Sequence, residues 1–251
     1  MNIDTDAAKQ ALRKFNNFNA TSREAVEAKY QPISSQMFVD FCDACGNDAE
    51  LIKAENEIKE LERILGFDRM SCFQIRTGVI NSDYNEYGDV LREYSAEYEE
   101  NARHAAENWN EIESKIKQAI DRVNNSKLVL FKNKKLNSLN SKLEEQSSLR
   151  NLYLSVEEQE KTKQNCINNG GKEQLEKLKK FAYERKTEIA ENIVAQQMAK
   201  KPAIICIKQV FARTSSSKNG ITVDGDILNN VITKLQTKLS EEILKEEVAS
   251  I

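Results

Sequence analysis

The feature that most restricts this chain is an apolar ladder: Leu91, Tyr94, Tyr98, Ala102, Ala105, Trp109, Ile112, Ile116, Ala119 and Val123. Its steps of three and four residues describe a heptad stripe, with one extra four-residue step near Tyr98. A stripe of this span predicts a coiled-coil or bundle helix on the order of 50 Å long. The added step predicts local unwinding of the supercoil.

A partner helix follows in sequence. "NNS" at residues 124–126 predicts a turn, and Leu136, Leu139, Leu143, Leu149, Leu152 and Val156 continue as a weaker, drifting stripe. "NNGG" at 168–171 breaks that helix. Leu175, Leu178, Ala182, Ile189 and Ile193 mark a third, closed by Pro202. The expectation is a mainly α fold: an elongated antiparallel helical bundle or coiled coil with a small β-hairpin near the C-terminus. Three regions are expected: short helices over residues 1–88, a long helical hairpin or three-helix bundle over 89–200, and a β-hairpin plus a last helix over 201–251.

In the first region, Ala8, Ala11, Leu12 and Phe15 recur at helical spacing and "NNFN" interrupts. Thr21 with Glu24 reads as a capping box for a second helix that ends before Pro32. Gly46 reads as the stop of a third helix. Asn47 with Glu50 reads as the cap of a fourth, carrying Ala54, Ile58, Leu61 and Leu65 and ended by Gly66. "SCFQIRTGVI" is open between a short strand and a broken helix. In the last region, the β-branched "AIICIKQVFA", the link "RTSSSKNG" and "ITV" predict a β-hairpin turning at "NG". Asp226 can cap a final helix with Leu228, Ile232, Leu235, Leu239 and Ile243.

Composition agrees with long helices. Charged residues make up 31% and apolar residues 39%, with two prolines and eight glycines, so the apolar content suffices for stripes rather than thick layers. The N-terminus lacks the pattern of a secretory or transit peptide. The longest strongly apolar run, "AIICI", is too short to cross a bilayer. Five scattered cysteines argue against a disulfide framework and for a reducing compartment, with cytoplasm expected. Net charge is −3 but uneven: residues 40–113 hold 19 acidic against 7 basic side chains, and 114–218 hold 22 basic against 11 acidic. The two stretches can fold onto each other as complementary fields, or the basic one can serve nucleic acid or an anionic membrane.

Motifs that would carry chemistry are weak. Cys42 and Cys45 form a Cys-x-x-Cys pair, but in a helix both share a face with Phe38 and Phe41, where small thiols pack well. A zinc site needs two further ligands, and Cys72, His104, Cys166 and Cys206 stand at no recognised spacing. A redox pair would sit at a helix start, whereas this one sits near a helix end with Asp43 between. No metal is therefore expected, with Cys42 and Cys45 the only candidates. His104, the single histidine, reads as a solvated helix residue. "DYNEYGDVLREY" at 83–94 matches a calcium loop at Asp83, Asn85 and Gly88. Tyr87 and Tyr94, however, replace two of the ligands. Glu93, Glu97 and Glu100 read as a solvated flank. No nucleotide motif occurs, and no catalytic residue or cofactor is expected.

"SKLVLFKNKK" at 126–135 places Lys127, Lys132, Lys134 and Lys135 around an apolar run at the hairpin tip. It reads as a core-facing turn flanked by solubilising lysines, or as a contact for an anionic surface or nucleic acid. The functional expectation is a non-enzymatic coiled-coil interaction protein, self-associating into a homo-oligomer, with Tyr94, Tyr98, Trp109, Ile112 and Ile116 along the seam. Alternatives are nucleic-acid binding through the basic region 115–186 and a membrane-active helical protein.

Overall fold

The computed structural model describes residues 5–76, 92–126, 130–206 and 215–249. Among them are nine α-helices, one 3-10 turn and two antiparallel β-ribbons, so the fold is mainly α. Packing divides the chain into two units. One unit joins Met1–Leu61 to Glu173–Ile251, and the other is Glu62–Lys172. The reason is that both ends of the chain contribute to one core.

In the first unit, α1 (Thr5–Asn16) buries Ala8 and Leu12. The side chain of Asn19 accepts from the Ser22 amide (2.8 Å) and starts α2 (Ala20–Asn47), so the cap is Asn19 rather than the Thr21–Glu24 box. Contrary to the sequence expectation, α2 runs straight through Pro32. Proline removes one amide donor, but Ala28 and Pro32 both lie on the exposed face, where water can take the orphaned carbonyl.

The C-terminal half of α2 buries Met37, Phe41, Cys42 and Cys45; the spacing places Phe38 on this face, and it is half-buried against the same core. Gly46 lies inside the helix instead of ending it. A Cβ there would stand 3.0 Å from the Lys218 side chain, so glycine permits the close approach of β3 (Ser215–Lys218). The next helix, α3 (Ala49–Leu65), is capped by Asp48 and not by Asn47: the Leu51 amide donates to Asp48 Oδ1 at 2.8 Å. Leu51, Ala54 and Ile58 are its buried stripe.

Two short α/β pieces of the second unit follow, α4 (Arg69–Cys72) and β1 (Gln74–Arg76), so the "SCFQIR" stretch is partly helix and partly strand. β1 pairs with β2 (Arg92–Tyr94), with Gln74 opposite Tyr94. The long ladder is therefore not one helix. Tyr94 is in a strand, Ser95 accepts from the Tyr98 amide (3.2 Å) to start α5 (Ala96–Glu107), and Asn108 separates α5 from α6 (Trp109–Asn125). The serine cap and the strand pairing each claim backbone groups that a continuous helix would use. Leu91 and most of the calcium-like stretch lie outside the described residues.

Helix α7 (Lys132–Asn168) is the longest, and both α5 and α6 pack along it. It ends where "NNGG" predicts, with Gly170 in the left-handed region (φ 77°). The next helix is α8 (Gly171–Lys200). Its buried Ala182, Ala190, Ile193, Val194 and Met198 belong to the first unit's core.

A 3-10 turn, Pro202–Cys206, buries Ile204, Ile205 and Cys206, so "AIIC" is not a strand. The hairpin is formed by β3 and β4 (Ile221–Asp224), with Asn219 (φ 51°) and Gly220 (φ 79°) as the expected "NG" turn. The last helix, α9 (Gly225–Ala249), seats Leu228, Ile232, Leu239 and Ile243 in the same core, and Asp226 lies in its first turn.

Charge complementarity is realised inside this unit. Asp48 pairs with Arg185 (2.8 Å), Glu55 with Lys186 (2.6 Å) and Asp43 with Lys218 (2.5 Å), each joining the acidic stretch to the basic one. Burial pushes the Asp48 carboxyl up, but Arg185 and the Leu51 amide outweigh it and hold it below the usual carboxylate range.

Candidate functional site: the helical arm

The second unit divides along α7 into a closed part and an open part. Where α5 crosses it, Phe73, Ala102, Ala105, Leu149 and Val156 form a buried cluster. Tyr98 packs edge-on against Phe73, with ring centroids 6.1 Å apart at 73°. Arg69 ties this end together: it bonds Glu99 (2.8 Å) and Glu157 (2.7 Å), and its guanidinium lies 5.9 Å from the Phe73 ring centre and 5.6 Å from that of Tyr153. Tyr94 donates its hydroxyl to Glu99 at 2.6 Å. That bond first, and then Arg69, hold the Glu99 carboxyl below the usual range.

The α6 end is different. Arg150 stacks over Trp109 at 5.3 Å and Lys132 donates to the Asn124 carbonyl at 2.6 Å, which sets α6 antiparallel to the first half of α7. Yet none of the 17 residues of α6 is buried. Trp109, Ile112, Ile116, Ala119 and Val123 are all half-buried, as are Leu136, Leu139 and Leu143 on α7. Two helices in contact cover only part of each other's apolar stripe, and no third helix is seen on this stretch among the described residues.

The tip of the arm carries Leu130 at 78% and Phe131 at 77% exposure, so they do not face a core. Phe131 adopts the left-handed backbone region (φ 58°), unusual for an aromatic residue. Lys134 and Lys135 are exposed and Lys132 is half-buried, while Lys127 lies outside the described residues.

No relative places the chain. The sequence matches no family model, and no curated protein or solved structure matches it.

The remaining candidates fall away from the arm. Cys42 and Cys45 are buried on α2, and burial pushes both thiols up, Cys45 to about 12. Cys206 is likewise raised by burial, to about 11. A protonated thiol in an apolar setting is a packing group, a poor nucleophile and a poor metal ligand. No group of three or more His, Cys, Asp or Glu able to hold a metal occurs among the described residues. His104 is exposed on α5. Glu100 pairs with Arg103, while Glu93 sits opposite Ile75 in the β1–β2 ribbon. No helix of the described residues is long and apolar enough to cross a membrane. An open groove of about 380 Å³ lies between α1, α2 and the 3-10 turn, lined by Phe15, Phe18, Tyr30 and Pro202 with Lys14 and Lys29 beside them.

Sequence reasoning missed Arg69 and Glu99 as organisers of the closed end, and misjudged Leu130 and Phe131. Only the second had a visible signal, four lysines crowding an apolar run.

Proposed function

We propose that the protein is a non-enzymatic interaction protein whose α6–α7 arm pairs with the same arm of a second copy. The observation that carries this reading is α6 itself: a heptad-spaced helix with no buried residue, which among the described residues packs chiefly along α7. Two such hairpins laid together complete a four-helix arrangement in which Ile112, Ile116, Leu136 and Leu139 become interior. Trp109, already stacked under Arg150, supplies a rigid aromatic anchor at the base of the arm.

Nucleic-acid binding has less support. Lys115 and Lys117 are engaged in helical pairs with Glu111 and Glu113, Lys163 donates to the Phe67 carbonyl, and Lys186 pairs with Glu55. A reducing, cytoplasmic setting belongs to the proposal and rests on five cysteines that are all unpaired.

The test is co-purification of tagged and untagged chains mixed after partial denaturation and refolding. Wild-type chains are expected to exchange into mixed oligomers. Ile112→Glu with Ile116→Glu places charges on the seam and is expected to abolish mixing while helical circular dichroism persists. Wild-type chains that never co-purify contradict the proposal.

A further inference from the structure

The tip of the arm asks for a different occupant from its seam. From Arg122 to Leu143 the sequence holds six basic residues and no acidic one, and both helix ends of the hairpin meet within that span. At its apex Leu130 and Phe131, adjacent in the chain, are each more than three-quarters exposed. Lys134 and Lys135 stand in the first turn of α7 with no ion-pair partner among the described residues, unlike the neutralised Lys115 and Lys117 further down the arm. The left-handed Phe131 backbone holds a conformation that an aromatic residue adopts only at a cost, and such strain is commonest where a side chain serves a contact.

We propose that this tip docks peripherally on an anionic lipid bilayer, with Leu130 and Phe131 entering the headgroup–acyl boundary and Lys134 and Lys135 facing lipid phosphates and carboxylates. An apolar wedge ringed by lysines is the pairing that such a surface recognises: the wedge gains by leaving water, and the lysines gain from the negative surface potential. A single-stranded nucleic acid would reward the lysines and could stack on one phenyl ring, but stacking platforms use aromatic rings and gain little from an aliphatic leucine. Lysine, with its flexible stem and compact charge, suits a lateral field of headgroups better than a fixed phosphate. The wedge is two residues, so the contact is reversible and salt-sensitive, and it spans nothing.

The experiment is vesicle flotation of the full chain. Vesicles of pure phosphatidylcholine are compared with vesicles carrying about 30% phosphatidylserine, at about 0.05 M and 0.5 M salt, where screening is weak and strong respectively. Wild type is expected to float with the anionic vesicles at low salt and to be released at high salt. Lys134→Ala with Lys135→Ala weakens binding about fivefold per lysine removed. Leu130→Ser with Phe131→Ser weakens it about tenfold or more. Lys115→Ala with Lys117→Ala leaves it unchanged.

A conservative probe guards against misfolding: Phe131→Trp in a Trp109→Phe background shifts its emission to the blue only with anionic vesicles. Wild type that stays unbound at low salt overturns the proposal, as does a Leu130→Ser/Phe131→Ser chain that floats like wild type. A single-stranded oligonucleotide that binds wild type but not that tip variant, with no flotation, assigns the tip to nucleic acid and also overturns it. Oligomer mass is unaffected by the tip substitutions, so this result and the self-association result are separable.

Discussion

Replacing Arg69 by methionine removes one charged group from four partners while keeping an apolar stem of similar length. Arg69 is 28% exposed, and its carboxylate partners Glu99 and Glu157 are 21% and 34% exposed, so the two ion pairs are partly screened. At that exposure each charge-assisted bond is worth about 1 kcal/mol, below the value for a fully buried one. The rings of Phe73 and Tyr153 lie within 6 Å of the guanidinium, and each such contact adds about 0.5 kcal/mol. The expected loss is about 2–3 kcal/mol in urea unfolding followed by far-ultraviolet circular dichroism, concentrated in protection of α5 and β2 amides. Arg69→Lys keeps the charge but loses the fork and the stacking, and about half the loss is expected. Arg103→Met, which removes an exposed pair with Glu100, serves as control and is expected to unfold at the wild-type urea concentration.

Acid adds a signed check on the same variant. The Glu99 carboxyl is depressed, first by Tyr94 and then by Arg69. A depressed carboxylate contributes stability that is present above its unfolded value of about 4.3 and lost as pH falls through the lower folded value. Removing Arg69 raises the folded value, so stability of the variant depends less steeply on pH below about 4. An Arg69→Met chain within about 0.5 kcal/mol of wild type, with an unaltered acid limb, refutes this account of the closed end.

Three further outcomes follow from other parts of the chain. Asn229 is 3% exposed with neither side-chain amide atom bonded; Asn229→Leu is expected to raise stability by about 1 kcal/mol, read as a higher thermal midpoint, and a fall would mean that the amide has a partner in solution. A Cβ on Gly171 would lie 2.8 Å from the Cys166 carbonyl oxygen and 2.3 Å from its Sγ, so Gly171→Ala is expected to lose about 1–3 kcal/mol in the same assay, and a neutral result refutes the tight turn. An aromatic disulfide reagent at mildly alkaline pH is expected to titrate the half-exposed Cys72 and Cys166 quickly and the buried Cys42, Cys45 and Cys206 only on unfolding; rapid reaction of Cys42 or Cys45 contradicts their role as packing residues.

Helix-forming stretches were readable from apolar spacing, because burial along one stripe is a local property of sequence. On α2 the spacing finds Phe41, Cys42 and Cys45, and on α3 Ala54 and Ile58, while Met37 and Leu51 complete those buried faces. Boundaries were less readable, because neighbouring capping groups compete: Asp48 outbids Asn47, Asn19 outbids Thr21, and Ser95 with Asn108 cuts a ladder whose spacing is continuous. Pro32 did not end its helix because the carbonyl it orphans lies on the exposed face. Arg69 was invisible for another reason, since Glu157 is 88 residues away and no local pattern links them. At the tip, the apolar run was visible but its direction was not: whether Leu130 and Phe131 face in or out depends on how far α6 and α7 extend and on the turn between them.

Sedimentation equilibrium of the wild-type chain, measured from submicromolar to tens of micromolar protein, addresses the arm most directly. Self-pairing predicts a mass that rises with concentration from the 28.7 kDa chain toward twice that value, and that stays at the single-chain mass in Ile112→Glu/Ile116→Glu. A wild-type mass fixed at one chain across the whole range contradicts the claim that α6 is half-buried because it awaits a second copy.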